Sequence, residues 1–269
     1  MDEGQYRGDA LGGIHSQPQV INIWKHYRLI FINRFAHNAS CSLDQKEMHM
    51  NTTGKTVAVL GNGVVGVAVA KGFSELGYRV IFGTRDAGSD KTKEALAAVP
   101  GARAASYAEA AKASDLAFVA LPWTGLAEAL QSAGASNLAG KLVIDASNPL
   151  DFSSGVPRLA IGHTDSAGET VQRMLPDAKV VKAFNIITAG HMVHPQLPDG
   201  TPDMLIAGND DGAKSEVAAL LRSFGWRAPI DMGDITASRL LEPLAMLWIS
   251  YGFRNNHWSH GFSLLGQQR

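Results

Sequence analysis

A single cysteine, Cys41, in 269 residues leaves no partner for an internal disulfide and no thiolate set for a zinc site. Neither sign of charge is in excess. Lys and Arg number 24 against 25 Asp and Glu, a net charge of −1. With no long basic block, the chain has no footprint for a nucleic-acid partner. No apolar run reaches the roughly 18–20 residues a membrane helix needs. Asp2 and Glu3 spoil the basic start of a signal peptide, and no small-residue cleavage pattern follows. These absences lead us to expect a cytoplasmic protein with no membrane partner. Four of the nine histidines (His15, His26, His37, His49) fall in the first fifty residues, at a spacing that fits no metal motif. What remains, 45% hydrophobic and 18% charged residues, is ordinary for a soluble globular enzyme.

The most informative stretch runs from Thr56 to Asp86, TVAVLGNGVVGVAVAKGFSELGYRVIFGTRD. It reads as strand, glycine turn, helix, strand. Gly61, Gly63 and Gly66 stand in G-x-G-x-x-G spacing between an apolar strand (Val57–Leu60) and an amphipathic helix with Val65, Val69 and Phe73 on one face. Gly61 lets the chain turn sharply off the strand. Gly63 leaves the backbone open to a pyrophosphate, and Gly66 lets helix and strand pack closely. The free N–H groups at the helix start, with the positive end of its dipole, then hold the anion.

The end of the second strand selects the nucleotide. A carboxylate there accepts hydrogen bonds from the ribose 2′-hydroxyl of NAD. Here Thr84 and Arg85 occupy that end, and Arg85 suits the extra 2′-phosphate of NADP. Ser89 and Lys91 lie just downstream, able to complete the phosphate pocket. Asp86 is an alternative ribose acceptor.

The rest of the chain keeps alternating. Helix is expected over 91–99, 107–113 and 169–175, and strand over 102–106, 115–121, 141–145 and 179–184. This argues for an α/β, Rossmann-like, doubly wound parallel sheet. Right-handed crossovers gather the strand C-termini at one edge. Trp123, Asn148 and Asn185 follow strand ends there. Trp123 can lie against a ribose or adenine or anchor its loop. The two asparagines can hydrogen-bond a nicotinamide carboxamide or simply form turns. After a proline-rich loop, a small βαβ unit (strands 203–207 and 227–231, helix 211–224) precedes a final helix over 237–251. Leu240, Leu244, Leu247, Trp248 and Tyr251 form that helix's expected buried stripe. Leu247 and Trp248 fit a homodimer face equally well. We therefore divide the chain into an appendage (1–54), an NADP-binding domain (55–200) and a C-terminal α/β subdomain (201–269). The natural start is expected at Met48 or Met50.

These residues together resemble the NADPH-dependent reductases of the deazaflavin coenzyme F420, and also the NADPH-binding domain of the six-transmembrane epithelial antigen metalloreductases. The resemblance covers Thr56 to the C-terminus and rests on GNGVVG, VIFGTRD, LPW, VIDASNPL, ETVQRMLPDAKVVKAFNII, IAGNDDGAK and RLLEPLAMLWISYG in this order. It implies NADP contacts from Asn62, Gly63, Val64 and Val65 at the pyrophosphate, Thr84 and Arg85 at the 2′-phosphate, and Trp123 beside the nucleotide. Leu150 and Ala189 would flank the nicotinamide. Ser89 stands where a basic residue often grips the phosphate, with Lys91 as its substitute.

The implied reaction is hydride transfer between NADPH and a small-molecule redox acceptor, coenzyme F420 or a flavin. It needs positioning and exclusion of water more than an acid or base, so the lack of a Ser/His/Asp or Tyr-x-x-x-Lys constellation is no objection. His191 and His194 are the nearest titratable groups. Three alternatives stand beside this reading. They are a β-hydroxyacid dehydrogenase or imine reductase, a free-flavin or ferric reductase, and a non-enzymatic NADPH sensor.

Overall fold

The computed structural model describes residues 54–266. The expected appendage therefore lies outside the described residues, apart from Gly54, and so does Cys41. The sheet has eight strands in the order β10-β9-β8-β5-β4-β1-β2-β3. Its centre is β1 (Thr56–Leu60), β4 (Leu116–Val119) and β5 (Leu142–Asp145), every residue buried. β2 (Arg79–Thr84), β3 (Arg103–Ser106) and β8 (Lys179–Lys182) continue it in parallel. Strands buried on both faces need no alternation, which is why VAVL and LVI read as unbroken apolar runs. β9 (Leu205–Gly208) joins β8 antiparallel and β10 (Ile230–Asp231) pairs parallel with β9, so the C-terminal strands extend the same, mostly parallel sheet.

Helices cover both faces. α1 (Val64–Glu75) buries Val69 and Phe73, as its spacing predicts, and Phe73 meets Phe118 and Phe224 edge to face in one core layer. α2 (Asp90–Ala98) starts on a Ser89 cap, and α3 (Tyr107–Ala113) on a capping box between Ser106 and Glu109. α4 (Trp123–Ala133) and the short α5 (Ala135–Leu138) fill the opposite face with Leu126, Leu130 and Leu138. α6 (Ala167–Met174), α7 (Asp211–Ser223) and α8 (Ser238–Asn255) complete the layers. A small hairpin, β6 (Leu150–Asp151) with β7 (Arg158–Leu159), leaves the sheet after β5. Its strands of two residues are too short for a periodicity to show.

The expected stripe on the last helix is corrected. Leu240, Leu247 and Tyr251 are 64%, 59% and 50% exposed, and of the expected five only Trp248 is buried. Leu241, Glu242, Ala245, Trp248 and Ile249 face inward instead. The helix is apolar on two sides, and an ion pair chooses between them. Glu242 turns inward to meet a buried cation, carrying its own face with it.

Candidate functional site

The ends of β1, β2, β4, β5 and β8 converge on one edge, as parallel strands require. Off β1, Gly61 has φ +111°, and a Cβ there would lie 2.4 Å from the Ala120 carbonyl oxygen. A Cβ at Gly66 would lie 2.1 Å from the Gly61 carbonyl oxygen, so strand and helix meet backbone to backbone. At Gly63 a Cβ would meet only the Lys91 ammonium, at 3.9 Å, within otherwise open space. No side chain caps the first turn of α1 and no acidic residue sits in it. Its N–H groups and dipole are suited to an external anion.

Two adjoining cavities share this turn. The first, about 460 Å³, is lined by Gly61, Asn62, Gly63, Thr84, Arg85, Ser89, Lys91 and Tyr107, with Leu121 and Pro122 behind. Its rim is tied by hydrogen bonds. The Thr92 hydroxyl donates to the Asp86 carbonyl (2.8 Å) and accepts from the Asn62 amide (2.8 Å). The Ser89 hydroxyl donates to the same carbonyl (3.0 Å) and caps α2. One Asp86 carboxylate oxygen accepts from the Gly88 N–H (2.8 Å), which engages that candidate ribose acceptor in its own turn. Arg85 and Lys91 form no ion pair among the described residues. Burial pushes the Tyr107 hydroxyl above its ordinary pKa, and the Arg85 charge works against that rise. The second cavity, about 420 Å³, carries Asn62, Gly63, Val64, Lys71, Lys91 and Ala189.

The fold thus brings most predicted residues together. Val65 and Gly66 sit in the first turn of α1, and Gly66 is buried. Trp123 opens α4, half-buried against the core. Asn148 and Leu150 line neither cavity; Asn148 lies on the loop after β5 and Leu150 opens β6. The Asn148 amide donates to the Asn185 carbonyl (2.8 Å) and accepts from the Asn185 amide (3.1 Å), which also donates to the Leu241 carbonyl (3.0 Å). His191 contacts the Ser259 hydroxyl (2.6 Å), and His194 contacts Glu75 (3.0 Å). Among the described residues no cluster of His, Cys, Asp and Glu is arranged for a metal.

Sequence reasoning missed a buried charge cluster beside this edge. The Lys182 ammonium lies 2.7 Å from Asp145 and 2.9 Å from Glu242, with side chains 0%, 0% and 1% exposed. It also donates to the Ser147 carbonyl (2.7 Å). Burial, the largest single effect, opposes its charge, but the two carboxylates override it and hold its pKa above the ordinary lysine value. The available signal was a charged residue inside each of two apolar runs, LVID and KVVKAF.

This is the architecture of a nucleotide-binding oxidoreductase, and the relatives agree. Residues 56–149 match the family of NADP oxidoreductases, coenzyme F420-dependent. A solved structure assigned as an F420-dependent NADP-reductase, from Arthrobacter sp. FB24, is 40% identical at a TM-score of 0.75, covering 78% of this chain and 99% of that one. The F420-dependent NADP reductase of Methanocaldococcus jannaschii is 30% identical over 149 residues, 54% of this chain and 66% of that protein. The metalloreductase STEAP3 of Rattus norvegicus is 31% identical over 198 residues, 71% of this chain. Of that protein the match spans 37% of the length. The chain belongs to the F420-dependent NADP oxidoreductase family, a family of NADP-dependent oxidoreductases. No helix among the described residues is long and apolar enough to cross a membrane.

Proposed function

We propose that this protein transfers a hydride between NADP(H) and a flat, flavin-like acceptor, with the deazaflavin coenzyme F420 as the first candidate. The first cavity carries the reading. An uncapped helix start, an open backbone at Gly63 and two cations without ion-pair partners among the described residues surround a space fit for a phosphorylated adenosine. Asn62, Gly63, Val64 and Val65 would hold the pyrophosphate. Thr84, Arg85 and Lys91 would hold the 2′-phosphate, with Ser89 contributing mainly by shaping their loop. Trp123 would lie beside the nucleotide. Asn148 would meet the nicotinamide carboxamide, with Leu150 and Ala189 beside the ring. NADPH, when bound, supplies the hydride. The chain's own task is to align donor and acceptor and to keep water out, which needs no acid or base in the cleft. A cytoplasmic location goes with this reading, and so does a homodimer formed through the exposed Leu240 and Leu247; Trp248, expected with Leu247 on that face, is buried in the core and takes no part.

The metalloreductase relatives favour a second reading, in which a free flavin or ferric chelate replaces F420. One panel tests both: purified protein, NADPH against NADH, and F420, FMN, FAD or ferric chelate, followed by loss of NADPH absorbance. Rapid oxidation with F420 and a clear preference for NADPH are expected. Binding without turnover on any acceptor would leave a nucleotide sensor, and equal affinity for NADH would remove the Arg85 assignment.

A further inference from the structure

The charges that line the two cavities face solvent, whereas the cluster around Lys182 touches neither cavity. Each bond in that cluster nevertheless ends on a segment bordering the strand-end edge. Lys182 donates to the carbonyl of Ser147, the residue before Asn148, at 2.7 Å. Asp145 accepts from the N–H of the same Ser147 at 2.9 Å. Glu242 accepts from the N–H groups of Ala167 and Gly168, at 2.9 and 3.0 Å, and so binds α8 to the start of α6. One residue earlier on α8, the Leu241 carbonyl receives the Asn185 amide. The loop after β5 and α8 therefore meet the ammonium directly, the start of α6 is tied to it through Glu242, and the loop after β8 is held one residue away, at Leu241. Stability alone does not call for a lysine here, because buried ion clusters are often replaced by apolar side chains without loss. What an apolar side chain cannot do is hold three acceptors at set distances with directed N–H groups.

We propose that Lys182 is a positioning residue for hydride transfer: bridging Asp145, Glu242 and the Ser147 carbonyl, it sets the Asn148 and Asn185 loops in place at the strand-end edge, where the nicotinamide would lie. The inference rests on the function proposed above. Misplacing a reacting group by about 1 Å can cost on the order of 100-fold in rate, so a residue that touches no ligand can still govern the transfer.

The test compares wild type, K182M and the charge-free D145N/K182M/E242Q, which keeps acceptors for the Ser147, Ala167 and Gly168 N–H groups, in thermal midpoint, NADPH affinity by fluorescence, and single-turnover oxidation of NADPH by F420 or FMN. K182M should melt earlier, and the triple variant should recover most of the midpoint. Both should bind NADPH within about threefold of wild type, and both should transfer hydride about 10- to 100-fold more slowly. A triple variant with both midpoint and rate restored would show a purely structural cluster and overturn the proposal. Should the triple variant fail to fold, D145N serves. It keeps the acceptor for Ser147, removes one charge beside Lys182, and should slow transfer roughly three- to tenfold with NADPH affinity unchanged; an unchanged rate overturns the proposal. A wild-type protein that transfers no hydride sinks the function and this inference together, whereas an active wild type with variants that transfer hydride at the same rate sinks the inference alone.

Discussion

The two ends of the strand-end edge handle charge in opposite ways. At the β1–β2 end, Arg85 and Lys91 stand exposed beside a backbone turn, without ion-pair partners among the described residues. At the β5–β8 end, Lys182 is fully buried with two carboxylates and a carbonyl around it. An exposed cation keeps its hydration and is free to meet a ligand's phosphate. A buried cation must have its partners built in, because an isolated charge in a low dielectric costs several kcal/mol. The first end therefore suits recognition of an anion, and the second suits a fixed geometry.

The largest effect should come from breaking the buried end. K182M leaves Asp145 and Glu242 facing each other unpaired and should cost about 3–5 kcal/mol of folding stability, read by urea denaturation; a loss under about 1 kcal/mol would mean that the pair is not desolvated as described. At the open end, R85A should leave stability within about 0.5 kcal/mol and weaken NADPH binding by about 1.5–3 kcal/mol, with NADH binding nearly unchanged. A parallel loss for NADH would place the guanidinium away from the 2′-phosphate. On the exposed face of α8, the double change L240K/L247K should keep stability within about 0.5 kcal/mol and turn a homodimer into a monomer on a sizing column; an unchanged elution volume would remove that face as the interface. The smallest effect concerns Glu169, whose carboxyl is held below its ordinary pKa chiefly by hydrogen bonds from Arg239, against burial. Such a depressed carboxylate stabilises the fold above its unfolded pKa, and that contribution fades as pH falls through the folded value. Stability of the wild type should decline below about pH 4.5, the ordinary value, and E169Q should flatten that decline. An identical acid profile in E169Q would show the pair to be energetically silent.

The two ends also differed in how far they could be read beforehand. The glycine turn, Thr84–Arg85 and the following helix are local signals, contained in one strand–turn–helix–strand unit, and the fold assembles them at one edge. Asn148 and Asn185 were singled out as strand-end residues, but their mutual hydrogen bonds join positions 37 apart in sequence. The apolar spacing of the last helix marks it as a helix, but of its expected inward stripe only Trp248 is buried. Its apolar residues, Leu240, Leu247 and Tyr251 on one side and Leu241, Trp248 and Ile249 on the other, do not distinguish the two. Antiparallel pairing of β9 with β8 was equally invisible, since four apolar residues carry no direction.

What the amino-acid order determined alone is the nucleotide-binding unit, because glycine conformations, helix starts and strand patterning depend on neighbours within a few residues. What tertiary structure decided is which charges face water and which are entombed. Lys182, Asp145 and Glu242 are unremarkable in a linear reading. They become a cluster only when β5, β8 and α8 pack together, and the need to pair a desolvated ammonium then settles how the final helix is turned.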